Sequence, residues 1–126
     1  MQGYQFKTRA VSDVQADKRR GGEVRTLLSP KTVGSTSGFM GVATIGAGEK
    51  INEHYHPYSE EFIYVVRGSI VAQLNGEPCD LQEGQSLYIP IGTRHRLVNA
   101  SGREAFIVFH LGPLAPRPDM GHVDTE

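Results

Sequence analysis

The stretch 48–76, GEKINEHYHPYSEEFIYVVRGSIVAQLNG, decides how the rest of the chain is read. Glu61–Arg67 (EFIYVVR) is short and rich in β-branched and aromatic residues, which suits a strand. Gly68 turns the chain, Ser69–Leu74 returns as the second arm of a hairpin, and Asn75-Gly76 is a strong hairpin-turn dipeptide. Upstream, Ile51–His56 is a short strand stopped by Pro57. Successive side chains of a strand alternate faces, so His54 and His56 point the same way and Tyr55 points the other. Glu61 shares a face with Ile63 and Val65, which are apolar, as the inside of a barrel should be. Glu60 faces the opposite side and is the weaker candidate for any shared chemistry.

Working outward, the same pattern repeats. Val24–Leu28, Phe39–Ile45 (FMGVATI), Ser86–Ile89, His95–Val98 and Glu104–Leu111 (EAFIVFHL) read as strands. Between them lie Lys31–Gly38, Gly46–Lys50, Gly84, Pro90–Arg94 and Ser101-Gly102 as loops and turns. Turn signals recur about every ten residues, and no segment keeps a helical period, so the class is all-β, a sandwich or barrel. Phe106–Leu111 is apolar on both faces and is expected to be covered on both sides. Residues 1–22 form an N-terminal arm, 23–112 the barrel, and 113–126 a C-terminal arm. The N-terminal arm carries Asp13, Asp17, Lys18, Arg19 and Arg20. It reads as a solvated loop or as a basic contact for an acidic partner. Pro113, Pro116 and Pro118 make the C-terminal arm an extended segment rather than a sheet element.

Composition narrows the function classes. The 126 residues fit one domain, with 15 glycines and 7 prolines for tight turns. A formal net charge of −1 gives no reason to expect nucleic acid or an anionic membrane. Cys79, the single cysteine, follows Pro78 in what reads as a turn, so no disulfide framework exists within the chain and a reducing compartment is the simpler reading. No apolar run reaches the roughly 20 residues that span a bilayer. A soluble, cytoplasmic protein is the expectation.

The chemistry-bearing residues fall into two spaced patterns. Gly48, His54, His56, Glu61 and Gly68 form G-x5-H-x-H-x4-E-x6-G, and Gly84, Pro90, Gly92, His95 and Asn99 form G-x5-P-x-G-x2-H-x3-N. A lone His-x-His pair arises by chance on surfaces. Two complete patterns in order are far more specific. They resemble the paired motifs of the cupin superfamily, and every signature position is filled. That resemblance implies a double-stranded β-helix, or jelly-roll, barrel. It implies His54, His56, Glu61 and His95 as ligands of one divalent metal ion, and Gly48, Gly68, Gly84 and Gly92 as turn glycines. Three imidazoles and one carboxylate suit Zn(II) foremost, with Fe(II), Mn(II), Ni(II) or Cu(II) as alternatives.

The run Asn52–Val66 and the tail Gly112–Glu126 further resemble the small single-domain cupin cyclases of bacterial aromatic polyketide pathways, of the tetracenomycin, resistomycin and spore-pigment types. The resemblance implies metal-dependent aldol cyclisation and aromatisation of a poly-β-ketone, free or bound to a carrier protein. A cupin oxygenase acting on an aromatic polyketide, and a non-catalytic scaffold subunit of a synthase, are the alternatives. His110, on the strand face of Phe106 and Val108, is a candidate general acid or base if that face is interior; otherwise it is a packed histidine. Arg94 and Arg96 flank His95 and are candidates to stabilise an enolate or bind a carrier-arm phosphate, or else they face water. Val65, Leu97, Phe106 and Val108 are pocket-lining candidates or ordinary core. Tyr55, Tyr64 and Tyr88 read as packing residues, and Cys79 has no role. His122 either folds back onto the barrel or stays mobile. The extended ends and two-sided apolar strands point to a homodimer with swapped arms.

Overall fold

The structure, a computed structural model, describes residues 5–126. The first four residues of the N-terminal arm therefore lie outside the described residues. Among the described residues ten strands follow one another: β1 (Glu23–Leu28), β2 (Phe39–Ile45), β3 (Lys50–Tyr55), β4 (Glu60–Arg67), β5 (Ser69–Leu74), β6 (Glu77–Gln82), β7 (Ser86–Ile89), β8 (His95–Val98), β9 (Ala105–Gly112) and β10 (Val123–Asp124). A one-turn helix, α1 (Pro30–Val33), sits in the expected Lys31–Gly38 loop. It starts where the Ser29 hydroxyl accepts from the Thr32 N–H and ends at Gly34. The strands form two five-stranded antiparallel sheets, β1-β2-β9-β4-β7 and β10-β3-β8-β5-β6. Their inner faces enclose the core, giving the jelly-roll barrel the motifs implied. No helix among the described residues is long and apolar enough to cross a membrane.

Pairing register sets which side chains face inward. On β9, Ala105, Ile107, Phe109 and Leu111 are buried. They pair with Ile45, Ala43, Gly41 and Phe39 of β2 on one side. On the other side Ile107, Phe109 and Leu111 pair with Val65, Ile63 and Glu61 of β4. Phe106, Val108 and His110 therefore point out, which corrects the reading of that face as a possible interior. The strand β3 contains a bulge between Ile51 and His54. Three residues apart, these two would face opposite sides of a regular strand; the extra residue lets both be buried. At the tip of the β5–β6 hairpin, Asn75 (φ 49) and Gly76 (φ 85) both take positive φ, as a tight twisted hairpin requires.

Two further expectations change. Cys79 lies within β6 rather than in a turn. Pro78 is tolerated there because β6 is the edge strand of its sheet. The C-terminal arm does contribute to a sheet: Val123 and Asp124 pair with Tyr55 and His54. The basic run of the N-terminal arm stays largely solvated, with the Lys18 and Arg19 side chains 70% and 75% exposed, and carries surface ion pairs. Arg19 pairs with Asp17 at 2.7 Å, Arg20 with Asp124 at 2.7 Å, and Asp17 forms a β-bridge with Val24.

Candidate metal centre and its cavity

The bulged strand β3 and the residue that follows it deliver His54 and His56, β4 delivers Glu61 and β8 delivers His95. Cross-strand pairing sets His54 directly against His95. One donor atom from each of the four lies within 4.8 Å of the others, and all four side chains are buried. Four donors at about 2.1 Å from a common ion lie at most about 4.2 Å apart, so a small contraction suffices to hold one.

Tautomers test the fit more sharply. His54 Nδ1 lies 2.8 Å from Asn52 O, His95 Nδ1 2.8 Å from Thr93 O, and His56 Nδ1 2.9 Å from Gly121 O. A carbonyl oxygen only accepts, so each Nδ1 carries the proton and each Nε2 is left to ligate. Glu61 Oε1 sits 3.0 Å from His95 Nε2 and 3.3 Å from His56 Nε2. Despite that proximity, Glu61 Oε1 and His95 Nε2 are both buried without a hydrogen-bond partner, since in this tautomer neither atom carries a proton. Buried lone pairs that face one another demand a cation between them. The donor set fits a divalent metal ion.

Electrostatics agree with that demand. Burial pushes the Glu61 carboxyl up, but the imidazoles of His56 and His95 outweigh it and hold the group at about 2. Burial, helped by the neighbouring His95, lowers His54 to about 3, so it is a neutral ligand over the physiological range. Burial also lowers His95, but the Glu61 carboxylate beside it raises it overall. A proton or a metal ion is thus attracted to the same point.

The cluster opens into a cavity of about 570 Å³ between the sheets. Phe39, Ile51, Leu97, Ile107, Phe109 and Leu111 supply apolar wall. The tail closes over it with Leu114, Ala115, Pro116 and Pro118. Of the expected lining residues only Leu97 reaches the cavity; Val65 is fully buried core, and Phe106 and Val108 face outward.

The candidate catalytic residues do not converge on this cavity. His110 is exposed on the outer face of β9, with its ring 5.9 Å from that of Phe62. Arg94 is exposed, and its backbone N–H is bonded to the Asn75 side chain. Arg96 lies on the outer face of β8, bonded to Gln73 and paired with Glu126. The arginines flank His95 in sequence, and alternation along β8 turns Arg96 away from the side His95 faces. Glu60, also outward, accepts from the Tyr88 hydroxyl at 2.8 Å. What the sequence reading left open is His122: it folds back, its ring stacked on His54 with centroids 4.3 Å apart and planes 13° from parallel. No period or motif in the tail signals that placement.

Residues 41–111, more than half of the chain, match the cupin domain family (Cupin_2). The chain is 57% identical over 116 residues to the polyketide synthase CurC of Streptomyces cyaneus, covering 92% of this chain and 75% of that protein. It is 46% identical over 117 residues to the tetracenomycin polyketide synthase protein TcmJ of Streptomyces glaucescens, covering 93% and 78%. Among solved structures, the polyketide cyclase RemF from Streptomyces resistomycificus superposes with a TM-score of 0.75 over 97% of this chain and 87% of that one. At 18% identity that likeness speaks for the fold alone. Family match, two-sheet barrel and the buried His3Glu cluster agree: the chain belongs to the cupin family.

Proposed function

We propose that this chain is a metal-dependent cyclase of aromatic polyketide biosynthesis, closing rings in a poly-β-ketone by intramolecular aldol condensation and dehydration. The observation that carries the reading is the buried set of three imidazoles and one carboxylate at an apolar cavity of about 570 Å³. The relatives named polyketide synthase proteins support the substrate class. In the reaction a carbon between two carbonyls loses a proton, attacks a distant carbonyl and forms the ring bond; loss of water follows. No electrons are gained or lost overall, so one Zn(II) per chain, held by His54, His56, Glu61 and His95, is the proposed cofactor. When bound, the ion supplies Lewis acidity that favours negative charge on a carbonyl oxygen. The walls built by Phe39, Ile51, Leu97, Ile107 and Phe109 exclude water and leave a flexible chain few folded arrangements, so the correct carbons meet first. The substrate is a polyketide, free or carrier-bound, and the site of action is the cytoplasm.

Chelator-stripped protein is expected to lose cyclisation by about 10³-fold or more, given several kcal/mol of charge stabilisation, and to regain it with Zn(II) under anaerobic conditions. The assay supplies nascent poly-β-ketone from a coupled synthase. Undiminished activity without metal would sink the mechanism. A strict need for O₂ would favour an oxygenase. Altered product ratios without turnover would favour a scaffold subunit.

The homodimer belongs to the same proposal, now on a different support. The tail docks on its own barrel, whereas Phe62, Tyr64, Val66 and Tyr88 stand 39–51% exposed on the outer faces of β4 and β7. Apolar side chains clustered in that way are typical of an interaction surface. Sedimentation at micromolar concentration should give twice the 13.8 kDa chain mass; a monomer there counts against the dimer.

A further inference from the structure

Two of the three candidate ligand imidazoles are held by carbonyls of their own segments. His54 and His95 each donate to the carbonyl two residues back, Asn52 O and Thr93 O. His56 differs: its Nδ1 reaches Gly121 O, 65 residues further along the chain. The next tail residue lays its ring on His54. Residues 121–122 therefore touch two of the four candidate ligands, His56 through the bond to its Nδ1 and His54 through a ring stack added to its own-strand bond.

The tail has its own anchors. At its start the Ser59 hydroxyl donates to Pro113 O. At its end Thr125 N–H donates to Glu53 O at 3.1 Å, the Thr125 hydroxyl donates to the Glu53 carboxylate at 2.8 Å, and Arg20 Nε donates to Asp124 at 2.7 Å. Between these anchors Leu114, Pro116 and Pro118 roof the cavity.

We propose that docking of the C-terminal tail and binding of the metal ion are one coupled equilibrium, in which the Gly121 carbonyl and the His122 ring are positioning groups for His56 and His54. The inference rests on the metal reading above. An imidazole whose Nδ1–H has no partner is free to rotate, and its Nε2 lone pair then points at the ion only part of the time. Partners that orient a ligand imidazole are worth roughly 10- to 100-fold in metal affinity. Coupling is reciprocal, so the ion must hold the tail down by the same factor. The segment that closes over the substrate space would thus be set by whether the ion is present.

Hydrogen exchange on the full-length chain, with and without saturating Zn(II), tests this directly. Amides of the tail, Gly121 and Thr125 above all, are expected to slow by roughly 10- to 100-fold when Zn(II) is bound. Amides of the β5–β6 hairpin tip, remote from the site, should change far less. Competition with a chromophoric chelator gives the reverse arm. Thr125→Pro removes both Thr125 bonds and His122→Ala removes the stack; each should weaken Zn(II) binding roughly tenfold. Thr125→Ser keeps both bonds and should bind as wild type does. Zn(II) binding with unchanged tail exchange, or wild-type affinity in both weakened variants, overturns the inference alone. A wild-type chain that binds no Zn(II) overturns it together with the metal reading.

Discussion

His95→Ala is expected to strip the chain of most of its metal and to abolish cyclisation with it. Apparent free energies of four-ligand zinc sites run to about 10–16 kcal/mol, so each ligand carries about 3 kcal/mol, or roughly a hundredfold in Kd. His95 is 1% exposed and directly opposite His54 in the β3–β8 ladder, so its removal takes a donor from the centre of the cluster. His54→Ala should behave alike. The informative control is the neighbouring carboxylate pair. Glu61→Gln should lose metal, whereas Glu60→Gln should keep it, because Glu60 faces outward and bonds Tyr88. Plasma mass spectrometry after dialysis against a defined free Zn(II) level reads all four. Full metal retention in His95→Ala would refute the ligand assignment, and metal-free variants that still cyclise would refute the mechanism.

The second large effect concerns stability. Asn99 is 0% exposed and sits at the opposite end of β8 from His95. Its amide nitrogen donates to Ile45 O at 2.8 Å and to Arg103 O at 2.7 Å. Its side-chain oxygen accepts from Ser101 N–H at 3.0 Å and from the Ser101 hydroxyl at 2.7 Å. One side chain thus joins the end of β2 to the turn before β9. Asn99→Ala deletes these four bonds, including the buried one to Ile45 O, and leaves a cavity in the core, for a cost of about 3–4 kcal/mol. That corresponds to a fall of about 15 °C in Tm for a domain of this size. Asn99→Asp should be at least as harmful at neutral pH, since a carboxylate would face two carbonyl oxygens. Metal stoichiometry at temperatures where the variants are folded should stay near wild type. A loss under about 1 kcal/mol in denaturant unfolding would show that water or neighbouring groups replace these bonds.

Much of the architecture and the heart of the site could be read from residue order. Strand alternation placed His54 with His56 and Glu61 with Ile63 and Val65, and all five are buried. Asn75-Gly76 announced its hairpin, and Gly48, Gly68, Gly84 and Gly92 all take positive φ. At Gly68 an added Cβ would lie 2.7 Å from Glu104 O, so close approach reinforces the conformational need. These features depend on neighbours a few residues apart, where period and turn chemistry carry the information.

Other features depended on distant partners. Both faces of β9 are apolar, so alternation cannot choose between Phe106–Val108–His110 and Ile107–Phe109–Leu111. Register against β2 and β4 makes the choice and sends His110 to the surface. Edge strand β6, with Pro78 and one buried residue, lacks the pattern of a half-buried strand. The bulge that turns both Ile51 and His54 inward follows from pairing with β8. The tail is proline-containing and aperiodic, yet Glu53, Arg20 and His56 hold it over the cavity. Local alternation and turn chemistry thus determined most of the strands, and the two spaced motifs, through the family they resemble, named the four candidate ligands. Only tertiary hydrogen bonding decided which apolar face is inside and what orients the ligands, because those bonds join residues too far apart in the chain for any local period to record.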